Sequence, residues 1–354
     1  MQRSAYLILI VAIFFTASGG ARAEHKSSFM LGDYFRLDES YKAYEDLAAK
    51  HPGLVTIEQV GKSVEGNPIV ALKIALRDGR ERPEALITGN IHANEFLGGR
   101  MAYEVARRLA DDYGKNPWIT SLLDRMDFYV VPMLNPDGFS DACRHAAHGF
   151  TARRKNADRV DMNRNFPYPS GVKSKGIMSG SKMKIHPNYK GPYPLSEPET
   201  KALAAFAEKH RFFVAINFHT TGGHFIYPYG YGREEPKDLD LYKKMGKSLN
   251  DHQSKKKYKV HQAFKWYQTV GNLDDYLYRR YGALSVTVEL ARYGTRLLNP
   301  LRGYNLFWWY NPVNIQEWVN NDRDAALYAI ETAFELTGGK PQPPQPTNWR
   351  MPDN

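Results

Sequence analysis

Apolar residues along this chain keep two alternating rhythms. Short runs rich in β-branched and aromatic residues, at 54–60, 70–75, 85–88, 128–132, 213–218 and 285–290, predict strands. Longer stretches with apolar positions three and four apart, at 40–50, 98–113, 197–210, 239–250, 273–280 and 314–336, predict helices. Ser196-Glu197-Pro198-Glu199 reads as a capping box with proline in the first turn. Strands alternating with helices predict an α/β fold with an at least partly parallel sheet. In the last strand, Val286, Val288 and Leu290 take one face, and Thr287, Glu289 and Ala291 take the other. A carboxylate inside such a strand is costly to bury unless something pairs with it or uses it. The alternative is an edge strand with Glu289 in water.

Composition narrows the class. With 354 residues, 42% apolar and 24% charged, the chain can bury one sizeable core. No internal repeat and no dividing linker is visible, so residues 24–338 are expected to form one domain. Residues 1–23 read as a secretory signal: Arg3, an apolar run over 5–16, then Ala21-Arg22-Ala23. That run is too short to favour an uncleaved membrane anchor. The expected product is therefore exported, periplasmic or secreted, and without a stable membrane anchor. Cys143 is the only cysteine, which rules out an intrachain disulfide and reads as a packing residue. Net charge is +10, or +8 once Arg3 and Arg22 leave with the signal. The densest basic run, Lys255-Lys256-Lys257-Tyr258-Lys259, has no nucleic-acid-binding signature beside it, so no nucleic-acid partner is expected. The tail 339–354, with Pro341, Pro343, Pro344 and Pro346, is expected to be extended and disordered.

Candidate chemistry lies at strand ends. One strand runs into Gly89-Asn90-Ile91-His92-Ala93-Asn94-Glu95, and another ends at His219-Thr220-Thr221. Two imidazoles and one carboxylate give three donors, the set of a catalytic zinc site that keeps one open position. A lone His-x-x-Glu is weak, since about one such pair is expected by chance in this composition. The alternative is a turn histidine and a glutamate favoured by a helix dipole. Other segments accompany the pair. They are an Asn135-Pro136-Asp137-Gly138 turn, Arg153-Arg154-Lys155-Asn156, Asp161-Met162-Asn163-Arg164-Asn165-Phe166, Trp266-Tyr267-Gln268-Thr269 and Val286-Thr287-Val288-Glu289-Leu290.

Taken in order, these segments resemble the zinc carboxypeptidases of the pancreatic carboxypeptidase A and B family, here as a bacterial-type exported member. The likeness runs from about Tyr34 to Gly338. Each piece is weak and the ordered set is specific. A two-histidine, one-glutamate zinc site is the known arrangement of carboxypeptidase A. The resemblance implies a mixed, mostly parallel eight-stranded sheet with helices on both faces in a single zinc-peptidase domain. It implies one zinc per chain on His92, Glu95 and His219, with Glu289 as general base and Arg154 on the oxyanion. Asn163 and Arg164 match the pair that grips a substrate's terminal carboxylate, and Tyr267 matches the mobile tyrosine that closes over it. Asp274 falls at the pocket floor, where an acid implies C-terminal lysine or arginine. The other reading of Asp274 is a first-turn helix acid beside Asp275. Gly271-Asn272 stands where relatives have Gly-Gly, and Asn94 replaces an arginine, which leaves the more distant subsites open. The expected partners are peptide or protein C-termini, and the expected state is a monomer. The alternatives are a peptidoglycan stem-peptide hydrolase with the same zinc chemistry, or a non-catalytic peptide-binding relative. No Gly-x-Ser-x-Gly elbow supports a serine hydrolase.

Overall fold

The computed structural model describes residues 31–146, 153–292, 306–345 and 348–349. The expected signal, 1–23, lies outside them. In chain order the elements are α1 (Leu37–Lys50), β1 (Val55–Lys62), β2 (Pro68–Ile74), β3 (Glu84–Gly89), α2 (Phe96–Asp112), α3 (Pro117–Arg125), β4 (Asp127–Val131) and α4 (Pro136–His145). A 3-10 turn, Met162–Arg164, precedes α5 (Pro198–Lys209), β5 (Phe212–Thr220), β6 (His224–Tyr227), α6 (Leu239–His252) and β7 (Lys259–Gln262). Then come α7 (Ala263–Trp266), α8 (Leu273–Tyr281), β8 (Leu284–Leu290), α9 (Phe307–Tyr310) and α10 (Ile315–Thr337).

The strands form one eight-stranded sheet in the order β1-β2-β4-β3-β5-β8-β6-β7. The β4–β3, β3–β5, β5–β8 and β6–β7 pairs are parallel, and the β1–β2, β2–β4 and β8–β6 pairs are antiparallel. The mixed, mostly parallel α/β expectation therefore holds. Alternation along each strand sends side chains into two cores. Leu72, Ile87, Val130, Ile216, Val286 and Val288 meet one helical layer. Ala71, Leu86, Tyr129, Ala215 and Phe212 meet the other, which includes Leu203 and Leu277 from α5 and α8. All nine residues of β5 are buried, which fits a central strand covered on both faces.

Glycine lets α2 start close to the sheet. A Cβ on Gly98 would lie 2.6 Å from the Phe218 carbonyl oxygen, and one on Gly99 would lie 2.7 Å from that of Pro132. Any side chain there would push the start of α2, and Glu95 with it, away from the ends of β4 and β5.

Several local expectations need correction. Asn135-Pro136-Asp137-Gly138 is the start of α4 rather than a free turn: the Asn135 side chain accepts from Gly138 N and Pro136 occupies the first turn. The capping box does not form. Glu197, not Ser196, is the N-cap of α5 and makes no side-chain cap bond, while Ser196 donates to Glu197. Glu199 instead accepts from Asn156 and Val64 N. The described part of the expected disordered tail is attached to the domain. Gln342 N donates to the Gly282 carbonyl and Gln345 N to that of Arg279, while Pro169 and Trp349 form a β-bridge. Gly282, with φ +74°, also has no room for a side chain under the Gln342 backbone. Cys143 is buried, and burial pushes its thiol up to about 12. Among the described residues, no helix is long and apolar enough to cross a membrane.

Candidate active site

His92 lies on the loop after β3, Glu95 is the N-cap of α2, and His219 lies near the end of β5. Parallel pairing of β3 with β5 puts these loop and strand ends side by side. Asn90, with φ 54°, takes the left-handed turn that starts the loop, and its amide donates to the His92 carbonyl. His92 Nδ1 is 2.8 Å from Glu95 Oε1, His219 Nδ1 is 2.9 Å from Glu95 Oε2, and the two Nδ1 atoms are 3.0 Å apart. One ligand atom from each of the three residues lies within 4.8 Å of the other two, close enough for a single ion to be shared. All three side chains are buried. Burial alone would raise the Glu95 carboxyl, but His92 and His219 more than offset it and hold it below the usual carboxylate range. Two neutral-capable imidazoles and one ionised carboxylate fit a divalent ion.

A further shell fixes these donors. His92 turns Nε2 towards Asp161 Oδ1 at 3.4 Å, so a carboxylate backs the ring on its far side. Asp161 also accepts from Arg154 Nε at 3.0 Å, and Arg154 Nη1 is 3.4 Å from Glu95 Oε1. Burial would raise the Asp161 carboxyl, yet Arg154, Arg164 and His92 hold it well below its usual range. Asn311, fully buried before α10 and 215 residues beyond Phe96, brackets Glu95. Its Oδ1 accepts from Phe96 N at 2.8 Å and its Nδ2 donates to the Asn94 carbonyl at 2.8 Å. Neither Asp161 nor Asn311 was singled out from sequence. Asp161 had a signal, since it heads the segment holding Asn163 and Arg164; Asn311 had none.

Across the cleft, the 3-10 turn presents Asn163 and Arg164. Asn163 Oδ1 accepts from Leu273 N at 2.9 Å, leaving its amide NH2 as the end available to a ligand. Arg164 donates to the carbonyls of Met178 and Asn163, which fixes the plane of its guanidinium. Glu289 sits on β8 in register with His219. Burial, then the charge of Glu95, pushes its carboxyl well above the usual range, and its buried Oε2 has no hydrogen-bond partner among the described residues. Asp274 points inward, accepting from Asn217, Ser285 and Thr287, and burial raises its carboxyl. The cap of α8 is Asn272, whose side chain accepts from Asp275 N, so a helix-capping role does not explain Asp274. Tyr267 ends α7 with its ring against Trp266. One cleft is lined by every candidate except Glu95.

The profile of the zinc carboxypeptidase family matches residues 40–321. Carboxypeptidase A1 of Rattus norvegicus is 32% identical over 289 residues, 78% of this chain and 67% of that protein. Carboxypeptidase A1 of Sus scrofa is 33% identical over 234 residues, 64% of this chain and 54% of that protein. The chain thus spans between about half and two thirds of the length of these curated relatives. A crystal structure of thrombin-activatable fibrinolysis inhibitor superposes with a TM-score of 0.71 at 25% identity, covering 88% of this chain and 75% of that one. The bovine form, solved in complex with tick carboxypeptidase inhibitor, gives 0.67 at 25% identity over 86% and 97%. By profile, by identity and by fold, the chain belongs to the zinc carboxypeptidase family, whose members use a single zinc ion.

Proposed function

We propose that this chain is a zinc metallocarboxypeptidase that hydrolyses the C-terminal bond of peptides and proteins, with a preference for terminal lysine or arginine. The observation that carries this reading is the grouping of His92, Glu95 and His219 at one cleft whose wall also holds Asn163, Arg164 and a Glu289 carboxylate oxygen with no hydrogen-bond partner among the described residues. Zinc on the three donors would acidify an attacking water and polarise the scissile carbonyl. Glu289 takes the proton from that water and passes it to the departing amine; its raised affinity for protons suits both transfers. Arg154, oriented by Asp161, meets the negative charge that develops on the carbonyl oxygen. Arg164 and the amide of Asn163 bind the terminal carboxylate, which an arginine fork can grip through two hydrogen bonds. Tyr267 closes over the bound residue.

Asp274 supports the basic preference. Three neighbouring donors hold its carboxylate at the pocket wall, and about four lone-pair sites leave room for an ammonium or guanidinium. The same pairing of an acid with a carboxylate grip also suits a diamino acid at the end of a peptidoglycan stem. Residues 1–23 as an export signal and 24–338 as the catalytic unit complete the proposal.

Blocked dipeptides that differ only in the last residue, assayed with and without a chelator, test this reading. Lysine and arginine substrates should turn over fastest, and chelation should abolish turnover until zinc is restored. Hydrolysis that persists without metal would overturn the mechanism. A faster murein tripeptide would move the substrate to the cell wall.

A further inference from the structure

We infer that the loop 171–190, beside the cleft, is a docking surface for an anionic phospholipid bilayer. Between Asp161 and Glu197 the chain has no acidic residue, while this loop carries Lys173, Lys175, Lys182, Lys184 and Lys190. Lys190 is turned inward onto Tyr168, and the other four are exposed. Large apolar side chains stand out among them: Ile185 is 87% exposed, Ile177 78%, Met183 61% and Met178 45%. Isolated exposed apolar residues need no explanation, but four within nine positions on one loop form a patch.

The exposure comes from a built conformation. Ser181 N donates to the Asn188 carbonyl and Lys190 N to that of Ser181, while Asn188 Nδ2 donates to the Ile177 carbonyl. From below, Arg164 holds the Met178 carbonyl and Lys155 holds those of Lys184 and His186. The loop is fastened to the protein, and its aliphatic tips remain in water.

Chemistry selects the partner. In Lys182-Met183-Lys184-Ile185, basic and aliphatic side chains alternate residue by residue. Met183 and Ile185 are therefore each next to an ammonium able to stay at the headgroups while the aliphatic tip enters the acyl chains. An acidic polymer would reward the lysines and leave the isoleucines idle. Anionic lipid rewards both, with each lysine contributing about fivefold to partitioning. Docking would also place the substrate cleft at the membrane. Arg164 touches this loop directly, and Gln268, next to Tyr267, bonds the backbones of Lys173 and Lys175.

Co-sedimentation of the full chain with vesicles tests the inference. Binding is expected to vesicles of equimolar phosphatidylcholine and phosphatidylglycerol, to weaken with salt, and to be absent on phosphatidylcholine alone. Ile177→Ser combined with Ile185→Ser should weaken it at least about tenfold at unchanged Tm. Lys255→Gln with Lys256→Gln, in the other basic run, should leave it unchanged. No binding of the parent chain to the anionic vesicles would overturn the proposal. So would a serine variant that binds like the parent, or polyglutamate that competes equally against both.

Discussion

The Glu95 carboxylate sits at the start of α2, where such a side chain ordinarily accepts from the free N–H groups of its own helix. It makes no such bond and faces the two imidazoles and Arg154 instead. That geometry favours the proposed ligand role over a capping role, and sequence alone left both readings open. Arg154 shows the same gap. In a run of basic residues it resembles a solvated charge, and only the fold brings Asp161 and Glu95 against it. Glu289 was more legible, because its alternation with Val286, Val288 and Leu290 fixed its face before any strand pairing was known. Glu289→Gln keeps that shape and removes the proton acceptor. It is expected to lower kcat by about 10²–10⁴-fold with bound zinc unchanged, read by steady-state kinetics beside metal analysis. Parent-like turnover would rule out Glu289 as the base.

Elements differ in how much of themselves they reveal. Six strands and six helices were readable to within a few residues; α3, α4, β6 and β7 were not, α4 because its Asn-Pro-Asp-Gly start reads as a turn. The two strands have four residues each, and β6 begins with a histidine, too little for a period to show. Their positions come from pairing alone, β6 against β8 and β7 against β6. The start of α2 depends on a partner just as remote. Asn311 supplies the cap that Glu95 does not, accepting from Phe96 N and Leu97 N. Asn311→Ala is expected to cost about 1–2 kcal/mol by urea unfolding. Because the same side chain fixes Asn94 and Phe96 on either side of Glu95, zinc affinity should fall about tenfold or more in a chelator competition. A variant that loses stability but binds zinc like the parent would limit Asn311 to capping.

At the scale of the whole molecule, α10 closes the domain against α6, and a buried acid lies at that contact. Asp322 accepts from Tyr258, Gln253 and Asn321, yet burial still pushes its carboxyl up to about 6. The folded state therefore holds this proton more tightly than the unfolded chain does. Its contribution to stability is complete below the unfolded value near 3.8 and is lost as pH rises through about 6. Asp322→Asn should remove that slope, a gain of about 1–3 kcal/mol for the variant relative to the parent at pH 7 over pH 4. Urea midpoints of the zinc-free protein across this range would show it, and parallel curves for the two proteins would refute it. The overall α/β class was legible because it needs only periodicity. The closing contacts were not, since they join residues scores of positions apart.

One last tie runs from residues 342–349 to the proposed specificity pocket. Gln342 and Gln345 bond the C-terminal end of α8, the helix that carries Asp274, at Gly282 and Arg279, and Trp349 pairs with Pro169. A nick after Gly338 would unfasten these contacts while leaving the three zinc donors and Glu289 in place. The cut enzyme should still digest peptides, but it should become a poorer judge of which terminal residue it removes.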